Sequence, residues 1–254
     1  MTRLDEFKPA WLKIDRAKRH IDELNAETVR FLDTKPYRVV IEPDLNPAAQ
    51  NWVVRIREHP PAYWSMIIGD AIHNLRASLD LAACGAVRVA RGNIKDVHFP
   101  FASSCEKIDE QIKSKKIHRA GPNIMKFIRE LKPYKGGNDI LRSVHDLDII
   151  DKHISIIPTT HLASITGDVI RDGKPAFVMR SITLGSIEDG QILMRLTPVD
   201  DLEPGTEIDA SFEIAFAKEH PQSSKPILPW IKEAHQTISG IIRKMENICI
   251  SDKQ

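Results

Sequence analysis

The hydrophobic rhythm of the chain changes twice, and this limits its fold more than any other feature. Through about residue 153 apolar residues recur mostly at helical spacing. From Ile154 to Phe216 they alternate with polar residues between turn signals. From 226 to 248 the helical period returns, with Ile227, Ile231, Ala234, Ile238, Ile242 and Met245 on one side. The pattern predicts an α+β fold: a helical bundle with a small N-terminal β-hairpin and a β-rich insertion before the last helix. A length of 254 residues suits one large domain, 1–254, with hairpin 36–57, β-rich segment 154–217 and a C-terminal helix 223–250 packing back on the bundle.

Within that frame, Trp11, Ile14, Ala17, Ile21, Leu24 and Phe31 predict a long helix over 9–34. Tyr37–Ile41 and Trp52–Ile56 predict two strands joined across Pro43, Asn46 and Pro47. Pro61 suits the first turn of a helix running to about Arg91 and ending at Gly92-Asn93. Ser103 or Ser104 predicts a cap for a short helix over 105–114, Gly121-Pro122 opens another that Pro133 ends, and 139–153 is helical again. In the β-rich segment, turns are expected at Gly167-Asp168, Asp172-Gly173 and Pro204-Gly205, and strands at Phe177–Ile182, Gln191–Leu196 and Glu207–Phe216.

No apolar run approaches the ~18 residues of a membrane span, and the first residues carry no apolar signal core. Three cysteines, Cys84, Cys105 and Cys249, have no metal-like spacing. The expectation is a reduced, cytoplasmic protein without membrane partners. A net charge of +1 gives no global pull toward polyanions. Gly-rich phosphate loops, nucleophile elbows and dinucleotide fingerprints are absent from the sequence.

The informative helix is Gly69-Asp-Ala-Ile-His73-Asn-Leu-Arg76-Ala-Ser-Leu-Asp80. Gly69, His73, Arg76 and Asp80 fall on one stripe, while Ile68, Ile72, Leu75 and Leu79 fill the rest. Gly69, Ala77 and Cys84 leave room for another backbone to approach. Two readings fit. The ionic groups satisfy one another as a buried network, or Arg76 holds a phosphate or carboxylate while His73 moves protons.

The second constellation is Arg142-Ser-Val-His145-Asp-Leu-Asp148-Ile-Ile-Asp151-Lys152-His153. Asp151 falls on the apolar face of its helix and Asp148 at the edge, where acids need partners. Arg76 and His73 are the expected ones. Asp148 and Asp151, with His145, also suit a divalent metal held between facing helices; otherwise Lys152 and His153 merely favour the helix C-terminus. Third, Lys113, Lys115, Lys116, Arg119, Lys126, Arg129, Lys132 and Lys135 face only Glu130 among acids from 111 to 135. Such a field attracts nucleic-acid phosphates; it also suits a solvated face docked on the acidic residues between 186 and 213.

The two helix motifs, in this order, resemble those of a group of uncharacterised bacterial proteins carrying GDxxHNLRxxLDH-like and DxxDKH-like helices. More distantly, the first helix resembles HEPN-type domains, helical bundles that are often RNases of defence or toxin systems and whose dimers join an Arg-x4-His motif from each chain. Arg76 matches the arginine; the histidine would fall at Leu81. The resemblance implies a metal-independent RNase or RNA-binding protein, RNA as partner and a homodimer. His73, Arg76, Asp80 and His145 would form the site, without a cofactor. Two other functions fit the same residues: a metal-dependent hydrolase, and a non-enzymatic binding protein whose β-rich insert meets a partner.

Overall fold

The computed structural model describes residues 4–152, 156, 158–171, 174–179, 187–197, 205, 207–217, 222–223 and 225–253, with backbone alone over 161–171 and 174–179. In chain order the elements are α1 (Lys8–Asp33), β1 (Tyr37–Pro43), β2 (Gln50–Ile56), α2 (Trp64–Val89), α3 (Ile108–Ser114), α4 (Pro122–Leu131), α5 (Asp139–Asp151), β3 (Pro158–Arg171), β4 (Lys174–Met179), β5 (Ile192–Leu196), β6 (Glu207–Phe216) and α6 (Ile227–Ser251). Short 3-10 turns precede α1, α3 and α4. The fold is α+β. The chain divides into two compact units: residues 1–24, 65–156 and 229–254, which are mainly helical, and 25–64 with 157–228, which hold the strands named here.

In the helical unit α2 is the most enclosed element. Ile68, Ile72, Leu75, Leu79, Ala82, Ala83 and Ala86 are all buried, which leaves only a narrow stripe for polar groups. Gly85 lets the chain before α1 cross it, because a Cβ there would fall 2.6 Å from the Glu6 carbonyl oxygen. On α6, Glu246 is buried and accepts from Leu4 N (2.6 Å) and Trp11 Nε1 (3.0 Å), tying both chain ends together. Lys13 Nζ donates to Asn74 Oδ1 (3.0 Å), and Asn74 Nδ2 to the Asp70 carbonyl (2.7 Å), which joins α1 to α2. Asn138 caps α5 by accepting from Leu141 N (2.9 Å).

A basic residue with left-handed backbone follows each of the first four helices: Lys35, Arg91, Lys116 and Lys132, at φ of 51, 55, 58 and 52°. Glycine is the usual occupant of this position. Here the cations complement the helix C-termini instead. Accordingly α2 ends at Val89 and turns on Arg91, not on Gly92.

The β unit is one antiparallel sheet in the order β4-β3-β6-β1-β2-β5. The N-terminal hairpin therefore lies within the later strands' sheet, between β6 and β5: β2 pairs with β5, and β1 with β6 at Val39–Ile208 and Val40–Glu207. Val39, Ile41, Trp52, Val54 and Ile187 form its core. A cavity of about 630 Å³ in this unit is lined by residues that include Lys35, Tyr37, Asp209 and Phe212. Gly167-Asp168 is not a turn; both residues sit inside β3, paired with Met179 and Val178. The turn expected at Asp172-Gly173, like residues 180–182, 200–204 and His153, lies outside the described residues. Ser104 precedes the 3-10 turn Cys105–Lys107, but its side chain caps no backbone N–H there. No helix among the described residues is long and apolar enough to cross a membrane.

Candidate functional site

The polar stripe of α2 meets α5 in a ladder of side-chain pairs. Opposite Gly69 lies Asp151: a Cβ at 69 would fall 2.6 Å from the Asp151 Cγ. His73 Nδ1 lies 2.9 Å from Asp148 Oδ1. Arg76 Nε donates to His145 Nδ1 at 3.2 Å. Residue numbers rise along α2 as they fall along α5, so the helices run antiparallel with one rung per turn. At the far end Asp80 Oδ1 lies 2.8 Å from Arg76 Nη1 and accepts from Phe99 N at 2.8 Å, with His98 Nδ1 3.7 Å from Oδ2. The room left by Gly69 is thus taken by a carboxylate, and the glycine that meets backbone is Gly85.

The partners differ from the expected ones in two respects. Arg76 does not reach the acids of α5; it is shared by Asp80 and His145 and stands 4.8 Å from the centre of the Phe101 ring. Of the two acids, Asp148 is the buried one and Asp151 only half-buried. Asp148 follows Val144 by one turn on the enclosed stripe, and it is balanced by His73 on one oxygen and Lys152 Nζ (2.7 Å) on the other. Burial first, then the Asp148 and Asp70 charges, push the Asp151 carboxyl above the ordinary aspartate range.

The two histidines sit in different surroundings. His145 stacks flat on Phe101, with ring centres 4.2 Å apart and planes 4° from parallel. Burial, then the Arg76 and Arg142 charges, push its pKa down to about 4. It is neutral at pH 7, and its Nδ1 lone pair is spent on Arg76. His73 sits in the opposite surroundings. Its side chain is 51% exposed while its Asp148 partner is 6% exposed. An ionised carboxylate only accepts, so this pairing makes Nδ1 the donor.

The basic segment divides. Arg119 Nη1 donates to the Asn93 (2.7 Å) and Lys95 (3.1 Å) carbonyls, and Arg129 Nε to Asp109 (2.7 Å). Those two arginines are structural ties. Lys113 and Lys126 are exposed, and Lys115 and Lys116 half-exposed. Lys126 borders an open cavity of about 370 Å³ between α4 and α6, away from residues 113–119 in the chain. Among the described residues no three His, Cys, Asp or Glu side chains converge to hold a metal ion. The helical period puts His73, Arg76 and Asp80 on one face of α2 and leaves His145 to a separate helix; Phe101 and His98 carry no sequence signal, because they arrive from a loop without periodicity.

No family model, curated protein or solved structure matches the chain.

Proposed function

We propose that the α2–α5 ladder is a metal-independent acid–base site for RNA phosphodiesters. The observation that carries the reading is the pairing of a buried Asp148 with a half-exposed His73, a carboxylate that fixes the tautomer and orientation of an imidazole base. His73 Nε2 removes the proton of a ribose 2′-hydroxyl, the 2′-oxygen bonds to phosphorus, the P–O5′ bond breaks, and water protonates the departing oxygen. Arg76, one turn along, offers its remaining N–H groups to the charge that builds on the phosphoryl oxygens. His145 is a positioning residue: its neutral ring accepts from Nε and stacks with Phe101, which holds the guanidinium in place. Asp80 neutralises part of the Arg76 charge between substrates.

A second reading, a non-enzymatic binding protein with a buried ionic network, draws on the low exposure of Arg76, whose side chain is only 12% exposed. Asp148 and Asp151 as metal ligands belong to a third, the hydrolase. Metal analysis of the purified protein, with RNA and DNA cleavage assays in the presence and absence of EDTA, separates the three. EDTA-resistant RNA cleavage supports the acid–base site. Stoichiometric metal with EDTA-sensitive cleavage supports the hydrolase, and no cleavage supports the binding protein.

A further inference from the structure

A second group of cations joins the basic turn at 113–119, one at the end of a helix and two in the loop after it. Arg88 lies on the last turn of α2, Arg91 takes the left-handed position after it, and Lys95 follows in the loop. All three are exposed. The loop is fixed to the 115–119 turn by three contacts: the two Arg119 bonds to the Asn93 and Lys95 carbonyls, and His98 N donating to the Lys115 carbonyl at 3.1 Å. A Cβ on Gly92 would touch the Arg119 Cβ at 3.4 Å. The fold therefore gathers Arg88, Arg91, Lys95, Lys113, Lys115 and Lys116 on two adjoining segments.

In these two segments, 88–98 and 113–119, Asp96 is the only acid. The nearest acids of α3 are engaged elsewhere, Asp109 with Arg129 and Glu110 with Lys107. Among the described residues the six cations have no carboxylate partner. In a chain of net charge +1 this is a strong local segregation of charge. No large exposed apolar side chain among the described residues lies in either segment, so the patch has no wedge for a lipid surface. It adjoins the ladder directly: His98 stands 3.7 Å from Asp80, and Arg88 is about 18 Å of helix from Arg76.

From this juxtaposition we infer that Arg88, Arg91, Lys95, Lys115 and Lys116 form a track for the phosphate backbone of RNA that leads onto the α2–α5 ladder. The track rests on the RNA reading of that ladder for its direction, but its charge is independent of catalysis. Lys126 and Lys244, beside Phe127 on α4 and α6, lie outside it.

The test is RNA oligonucleotide binding by fluorescence anisotropy across a salt series, in a His73→Ala background so that binding is read without cleavage. The triple variant Arg88→Gln/Lys95→Gln/Lys116→Gln should bind at least tenfold more weakly near 100 mM salt, with a log–log salt slope shallower by about 2. Its melting temperature should match the parent's, since these side chains are exposed or half-exposed. The pair Lys126→Gln/Lys244→Gln should leave affinity and slope as they are. Failure of the parent to bind RNA, equal binding by the triple variant, or tighter binding of polyglutamate than of RNA each overturns the track. Patch-dependent binding by a protein that cleaves nothing keeps the track and overturns the cleavage reading. Cleavage by the His73-intact protein that is indifferent to the triple substitution overturns the track alone.

Discussion

Acidification isolates the state of His145. The folded ring has a pKa of about 4, whereas an unfolded histidine titrates near 6.5. Between those values the unfolded chain holds a proton that the folded ring refuses. Stability from this group is therefore fully present above pH 6.5 and is lost as pH falls through about 4. For a ring sealed from water the difference would be worth ~3 kcal/mol; the ring is only half-buried, and solvent screening brings it to about 1–2 kcal/mol. His145→Gln keeps an oxygen to accept from Arg76 but cannot take a charge. Urea unfolding at pH 7, 5.5 and 4.5 should then give a stability difference between the two proteins that narrows by about 1–2 kcal/mol as pH falls. NMR titration of the ring in the parent should give an inflection near 4, and Arg76→Ala, which removes the nearest cation, should move it up. An inflection near 6.5, or parallel pH curves for parent and His145→Gln, would refute the neutral positioning role.

Other substitutions test the packing. Glu246→Ala leaves the buried Trp11 Nε1 and Leu4 N without their carboxylate, and should cost about 2–4 kcal/mol in thermal or urea unfolding. Gly85→Ala should destabilise by about 1–3 kcal/mol despite alanine's ~1 kcal/mol helix advantage, because the Glu6 carbonyl is backbone and cannot step aside. Lys132→Gly should change stability by less than about 0.5 kcal/mol: relief of the left-handed backbone, ~1–2 kcal/mol, is offset by ~0.4–1 kcal/mol for the added freedom of the unfolded chain and ~0.3–1 kcal/mol for the lost cation at the helix C-terminus.

The helices were readable because their apolar stripes are long. The stripe from Trp11 to Leu24 and the one from Ile227 to Met245 place α1 and α6 within a few residues. β6 is also where its alternation puts it, from Glu207 to Phe216. The membership of the hairpin was not readable, since period-two alternation names a strand but not its neighbours; only pairing with β5 and β6 puts β1 and β2 in the same sheet. Gly167 misled for a local reason: a Gly-Asp pair is a turn signal on its own, and here the ladder to β4 overrides it. At the site, helical period places three ionic groups on one face of α2 but leaves their partners on α5 ambiguous by one rung, so Arg76 is matched with acids that His73 and Lys152 hold. Phe101 and Arg91 lie in irregular chain, where no periodicity announces what they touch.

The central claim is that His73, oriented by Asp148, does acid–base chemistry on RNA. The direct measurement is single-turnover cleavage of an RNA oligonucleotide with EDTA present, by the parent, His73→Ala and Asp148→Asn, alongside their melting temperatures. The account predicts cleavage by the parent, a loss of about 10²-fold or more in His73→Ala at a temperature where that protein is still folded, though its melting is lowered because Asp148 loses a partner, and a smaller loss in Asp148→Asn. A parent that leaves RNA intact, or a His73→Ala protein that cleaves as fast as the parent, would contradict it.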